Sequence, residues 1–282
     1  MRFRRLARGW LLAATTLGCL GAAPAEPMAV VPEVSTFRIA LVNVPVVEAS
    51  LAIEPDSLGG ILVEGRARTI GIGGILYPID NLYRALLDPM SGLPRWWEKR
   101  IDQADVQQSL HAKANREIGW VDYGEHGKRP LIEGASWFIA VGATLHLESW
   151  EIGTCRGYPL EMEGRRLTMT LRGLEEVERK VLGRTRRCIV VEAEFSEPKP
   201  RADDLLPRTD MLTYHLIDDD FSWRFVVTRE SPSMLAAIEL KRSPISIRAE
   251  LTRLERGGDA WVKPRGGRSS HRRRGSKADP PR

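Results

Sequence analysis

The chain has 282 residues, with 42 lysines and arginines, 37 aspartates and glutamates, and a net charge of +5. The charge is unevenly placed: the first 25 residues carry +4 and residues 256–282 carry +7, which leaves −6 on residues 26–255. This acidic body argues against a nucleic-acid-binding face on the folded part. Its roughly 230 residues suffice for one sizeable hydrophobic core.

The first 25 residues have the pattern of a secretion signal. Four arginines among the first eight residues precede an apolar stretch from Trp10 to Leu20, and Ala23-Pro24-Ala25 forms an A-x-A cleavage site. We therefore expect a periplasmic protein whose mature chain begins at Glu26. Lipidation at Cys19 is the less favoured alternative, because the residues before it fit the lipoprotein pattern poorly. No segment has the roughly 20 apolar residues of a membrane-spanning helix, so we do not expect a spanning protein.

From Phe37 onward, apolar and polar residues alternate, which predicts antiparallel strands with one buried face. In residues 221–228, for example, large apolar side chains occupy every second position. The predicted strands are 37–44, 46–54, 61–71, 166–172, 187–195, 211–217, 221–228 and 245–252. The expected fold is mainly β, a curved antiparallel sheet or incomplete β-barrel capped by one or two short helices.

One helix is predicted within this series of strands. Apolar residues recur at helical spacing just after Pro78, which predicts a helix over residues 79–87 with its apolar stripe on the sheet. These apolar residues are Ile79, Leu82, Tyr83 and Leu86. Residues 136–147 are also apolar, but their pattern fits a helix and a strand equally.

The C-terminal residues 257–282 are rich in glycine, serine, proline and arginine and lack periodic apolar residues. We expect a disordered basic tail. The predicted organisation is a signal over residues 1–25, a β-rich envelope domain over 26–256 and this tail over 257–282.

Several short motifs, in this order, resemble an exported bacterial family called domain of unknown function 3108. They are ASL at 49–51, YPIDNLY at 77–83, DP followed by GLP within 88–94, LRGLE at 171–175 and IRAEL at 247–251. The resemblance covers about residues 37–255 and departs around 96–135. It implies a half-barrel like that of periplasmic lipoprotein carriers, with an apolar groove capped by helices, and it brings no established activity.

No catalytic or metal-binding pattern in the sequence is complete. His146-Leu147-Glu148 matches part of a zinc-deaminase motif, but the cysteine pair that must accompany it is absent. The five histidines have no ligand spacing. Asp218-Asp219-Asp220 is interpreted as a solvated hairpin turn rather than a calcium site. We therefore expect no enzyme activity, no cofactor and no metal.

Two cysteines remain after removal of the predicted signal, Cys155 and Cys188. In an oxidising compartment they could form a disulfide that closes a loop of about thirty residues. The alternative is a pair of partly buried thiols. The sequence leaves both open.

Seven tryptophans follow the predicted signal, an excess that suits either a large core or an aromatic groove. The candidate groove residues are Leu82, Tyr83, Leu86, Met169 and Trp223. The resulting hypothesis is a non-enzymatic periplasmic protein that binds a lipid or other hydrophobic envelope component in the concave face of its sheet. The alternative is a scaffold that holds another envelope protein and has no small ligand.

Overall fold

The computed structural model describes residues 28, 30–71, 73–197, 205–206, 209–214, 221–242 and 244–262. The predicted signal with Cys19, the turn at residues 218–220 and residues 263–282 of the predicted tail lie outside the described residues. Within the described ranges, none of the helices has the length and apolar character needed to cross a membrane.

The described residues form fifteen strands and three short α-helices. The strands of the first half are β1 Glu33–Leu41, β2 Val44–Pro55, β3 Ile61–Thr69, β4 Asp80–Leu87, β5 Pro94–Gln103, β6 Val106–Asn115, β7 Trp120–Asp122 and β8 Lys128–Pro130. Those of the second half are β9 Cys155–Met162, β10 Arg165–Val181, β11 Arg184–Ser196, β12 Ser222–Thr228, β13 Leu235–Arg242, β14 Ile245–Arg256 and β15 Asp259–Val262. The helices are α1 Gly73–Leu76, α2 Phe138–Thr144 and α3 Met211–Tyr214.

The strands belong to one antiparallel sheet in the order β8-β7-β6-β5-β4-β3-β2-β1-β14-β13-β12-β11-β10-β9, with β15 paired to β14. Each half of the chain is thus a meander of sequential strands. The pairing of β1 with β14 joins the two halves. Among the described residues β8 and β9 do not pair, so the curved sheet remains unclosed. This confirms the predicted mainly β architecture.

Helix α2 lies against the inner, concave face of the sheet. Four of its side chains are buried: Phe138, Ala140, Val141 and Ala143. The Phe138 ring meets Phe195 of β11 and Trp223 of β12 edge-on, with centroid distances of 5.9 and 5.5 Å. The chain's own helix therefore fills part of the concavity, and it resolves the ambiguous segment 136–147 as helical.

The hairpin of β10 and β11 gives part of the outer face a second layer. Val190 of β11 and Val226 of β12 are cross-strand neighbours whose side chains point away from the inner face. Both are nevertheless buried. Arg179 of β10 reaches Glu239 of β13, 3.6 Å away, so the hairpin curls across the outside of the sheet. Its bulge is at Gly173, where a Cβ would lie 2.1 Å from the Glu151 carbonyl oxygen.

The predicted helix over residues 79–87 is wrong, because Asp80–Leu87 form strand β4 between β3 and β5. The same residues contain a two-residue alternation: Tyr83, Ala85 and Leu87 are all buried on the inner face. The sequence of this segment fits both a helical spacing and a strand alternation, and its pairing with β3 and β5 makes it a strand.

Other predicted segments differ as well, among them residues 211–217 and the start of the tail. Residues 211–214 of the predicted strand 211–217 form α3, and the rest of that segment lies outside the described residues. The predicted tail begins at Gly257, whereas Asp259–Val262 form β15 and pair with Arg253–Arg256 of β14. A short strand needs few apolar residues when the neighbouring strand supplies its hydrogen bonds.

Candidate functional site

The structure places the five predicted groove residues on two faces. Tyr83, Met169 and Trp223 are buried in the core inside the sheet. Leu82 and Leu86 occupy the outward positions of β4, together with the ion-paired Arg84. Successive side chains of a strand point to opposite faces, so β4 separates Tyr83 from the two leucines.

The two cysteines, for which the sequence left a disulfide and free thiols equally open, are far apart. Both cysteines are free; Cys155 is exposed and Cys188 is buried. Cys155 pairs with Arg172 of β10, and Cys188 pairs with Val177 on the other side of that strand. Five residues of strand correspond to about 16 Å at 3.3 Å per residue, whereas bridged cysteines have Cα atoms within about 7 Å.

A buried group of charged and hydroxyl side chains, here called the inner polar cluster, is the first candidate site. Lys99 of β5 is ion-paired with Glu163 of the β9–β10 turn and with Asp210, whose Oδ2 is 3.1 Å from Nζ. Tyr83 donates a 2.9 Å hydrogen bond to Asp210 Oδ1, and Thr213 donates one of 2.7 Å to Oδ2. One ammonium thus faces two carboxylates, and hydroxyl groups donate to both oxygen atoms of Asp210.

The surroundings of the inner polar cluster keep Asp210 ionised and Tyr83 protonated. Burial raises the pKa of Asp210, but Lys99 and the hydrogen bonds from Thr213 outweigh it, so the pKa of this carboxyl is lowered. Burial, reinforced by Asp210, raises the pKa of Tyr83 well above its usual range. The cluster ties the segment of Asp210 to the sheet and contains no nucleophile activated by a base. Sequence reasoning missed it because its members are far apart along the chain.

A second buried group lies where the two ends of the sheet approach each other, here called the seam. Its members are Tyr123, Ser136, Glu161 and Gly164. Ser136 forms backbone hydrogen bonds of 2.9 Å with Pro159 and Glu161 of β9. Glu161 Oε1 accepts hydrogen bonds from Tyr123 Oη at 2.5 Å and from Gly164 N–H at 2.9 Å. The seam therefore links the sheet ends without regular strand pairing.

Glu161 is unusual for a buried carboxyl group. It is 1% exposed, and its Oε2 has no hydrogen-bond partner among the described residues. Burial raises its pKa to about 7, although the hydrogen bonds from Tyr123 and Gly164 act in the opposite direction. The seam thus contains a group that titrates near neutral pH.

His146, from the partial zinc motif, is buried beside an ion pair of β1 and β14. Its Nε2 is 3.4 Å from Glu33 Oε2, and Glu33 is also paired with Arg256. Strand β1 thereby contacts the turn after α2 through Glu33, which also holds Arg256 of β14. No set of three histidine, cysteine or acidic side chains in the described part of the chain is arranged to hold a metal ion.

An open cavity of about 1010 Å³ lies on the outer face of β1, β2, β13 and β14, here called the outer groove. Its lining residues Thr36, Arg38 and Ala40 alternate with the inward-facing Phe37 and Ile39. Its basic side chains are Arg38, Arg179, Lys241, Arg248 and Arg253, and its acidic ones are Glu48, Glu239 and Glu250. The groove is therefore polar, with two more cationic than anionic groups.

No protein-family model matches this chain, and no curated protein does. Among solved structures, it is similar to the crystal structure of a beta-barrel-like protein of domain of unknown function DUF1849 from Brucella abortus. The TM-score is 0.51 at 11% sequence identity, covering 81% of this chain and 99% of that chain. At this identity the likeness shows a β-barrel-like fold alone. It gives no support to the resemblance to domain of unknown function 3108 or to lipoprotein carriers.

Proposed function

We propose that this protein is an exported, non-enzymatic component of the bacterial envelope that acts as a scaffold, holding another envelope protein on the outer face of its sheet. The observation that carries the proposal is that the concave face of the sheet is filled, whereas the cavity on the outer face is open. The concave face is occupied by α2 and by core aromatic side chains, whereas the outer groove is open and charged.

An apolar ligand in the concave face, the alternative function, would have to displace part of this core. Phe138 and Val141 of α2 are both buried there. Exposing two such side chains costs about 3–6 kcal/mol, at about 1.5–3 kcal/mol each. The favourable contacts of a bound ligand would first have to offset this cost. This requirement favours the scaffold function.

The chemistry of the buried groups also favours a non-enzymatic role. The ionic groups of the inner polar cluster are buried and paired with one another, so they have little access to a substrate. The seam carboxyl Glu161 has a raised pKa, but it is equally enclosed. The inner polar cluster and the seam instead connect segments that are distant in the sequence.

The scaffold proposal is tested in the envelope of the source cells. A photo-crosslinking amino acid at Ser246, an exposed position in the outer groove, is expected to form a defined product with one envelope protein. The matched control is the same amino acid at Glu133, an exposed position outside the groove. In parallel, native mass spectrometry of the purified protein is expected to find no bound apolar molecule.

The opposite pair of results would overturn the proposal. A lipid mass retained on the folded protein, together with no specific product from Ser246, would favour a carrier that opens around α2. Equal products from Ser246 and Glu133 would show nonspecific proximity and would also count against the scaffold function.

A further inference from the structure

The charges of the outer groove converge on one buried carboxylate. Glu239 of β13 has a side chain that is only 7% exposed. Three cations surround it: Arg179 Nη2 at 3.6 Å, Lys241 Nζ at 3.4 Å and Arg248 Nε at 3.5 Å. Arg248 is also paired with Glu250, at 3.2 Å. Arg179 and Lys241 thus share the single negative charge of Glu239. One cation would be enough to neutralise it, so positive charge is in excess here.

Sheet stability explains only part of this arrangement. Arg248, Glu239, Arg224 and Glu192 occupy consecutive positions across β14, β13, β12 and β11, where opposite charges stabilise cross-strand pairs. Arg179 and Lys241 lie outside this row. Their side chains are 38% and 52% exposed, and both line the groove. Their positive charge is therefore available to an incoming anionic group.

The opposite end of the outer groove has a different character. Arg38 of β1 lies between two cross-strand neighbours, Glu48 of β2 and Glu250 of β14. A uniformly anionic partner, such as a membrane surface or a phosphorylated polymer, would meet repulsion from Glu48. A polypeptide can instead place acidic side chains at the Lys241 end and a neutral or basic side chain at the Glu48 end.

We propose that the outer groove binds a short, acidic, extended segment of the partner protein, with its carboxylates at Arg179 and Lys241. This inference rests on the proposed scaffold function and names the chemistry of the partner. From β2 to β13 the groove crosses three strand spacings, about 14 Å, which is the length of about four extended residues. Its volume of about 1010 Å³ accommodates such a segment with its side chains.

The test measures fluorescence anisotropy of a labelled peptide with glutamates at one end and alanines at the other, titrated with the mature protein. A peptide with glutamine in place of glutamate is the probe control. Replacing Arg179→Gln and Lys241→Gln together is expected to weaken binding about tenfold, since each partly exposed charge pair contributes a few-fold. The matched protein control is Arg68→Gln with Lys113→Gln, two exposed cations outside the groove.

A second variant keeps the test decisive if the double variant fails to fold by circular dichroism. Glu48→Gln removes a repulsive charge from the same groove, so it is expected to strengthen binding of the acidic peptide about two-fold. A change of stability alone would not produce opposite effects in the two variants. Binding is also expected to weaken as salt concentration rises.

The inference is overturned if the glutamate and glutamine peptides bind alike, or if the groove variants bind like the wild type. Stronger competition by phosphatidylglycerol vesicles or by inorganic phosphate than by unlabelled peptide would also overturn it, in favour of a lipid surface or a phosphate. Crosslinking from Ser246 without peptide binding would refute this inference alone. Peptide binding without any crosslinked protein would refute the scaffold function instead.

Discussion

Replacing Glu161 by glutamine isolates the free energy of a buried carboxylate in the seam. The wild-type group has its pKa raised from 4.5 to about 7, mainly by burial. Glutamine retains an oxygen that can accept the hydrogen bonds from Tyr123 and Gly164. It resembles the neutral form of the carboxyl group and does not titrate, so the variant reports the cost of ionising Glu161.

The sign follows from proton binding. Between pH 4.5 and about 7 the folded state retains a proton on Glu161 that the unfolded state has released, so the stability of the wild type falls as pH rises. The stabilisation is complete below the unfolded pKa of 4.5 and is lost as pH rises through about 7. At about 1.36 kcal/mol per pKa unit, the difference between the unfolded and folded pKa values of Glu161 corresponds to about 3 kcal/mol.

Urea denaturation followed by tryptophan fluorescence provides the measurement. Glu161→Gln is expected to match the wild type at about pH 4 and to exceed its free energy of unfolding by about 3 kcal/mol at about pH 8. The matched control is Glu194→Gln, an exposed glutamate of β11, which is expected to show no such trend. An advantage of Glu161→Gln that is constant with pH would refute the reasoning.

Three further predictions follow from the packing and the export pattern. Lys99→Met leaves two buried carboxylates without their cation, so urea denaturation is expected to show a loss of about 3–5 kcal/mol, against little change for the exposed Lys113→Met. Phe138→Ala is expected to lower the free energy of unfolding by about 3–5 kcal/mol because it opens a cavity beside α2, and an unchanged value would show that this ring is not packed as described. N-terminal sequencing of the exported protein is expected to begin at Glu26, and an uncleaved cytoplasmic chain would contradict the signal assignment.

Local pattern was sufficient where a strand has one clear apolar face. The alternation in residues 221–228 and 245–252 predicted β12 and β14, although β14 continues to Arg256. The same reasoning failed for β4, because its apolar residues satisfy a helical and a strand period together. Neighbouring strands, which a local pattern does not contain, decided that element.

The candidate sites depended even more on distant residues. Lys99, Glu163 and Asp210 form one ionic group, and Arg179 meets Glu239 only because the β10–β11 hairpin curls over the outer face. Each residue alone resembles an ordinary charged surface position. The prediction of an apolar groove also could not anticipate that α2 lies inside the sheet.

The sequence by itself determined the mainly β, antiparallel character of this protein, because the two-residue alternation of a half-buried strand is a local property. Tertiary structure alone decided the pairing of β1 with β14, the seam between the sheet ends and the segment that fills the concave face. These features depend on which distant surfaces exclude water together and on how side-chain volumes fill the enclosed space.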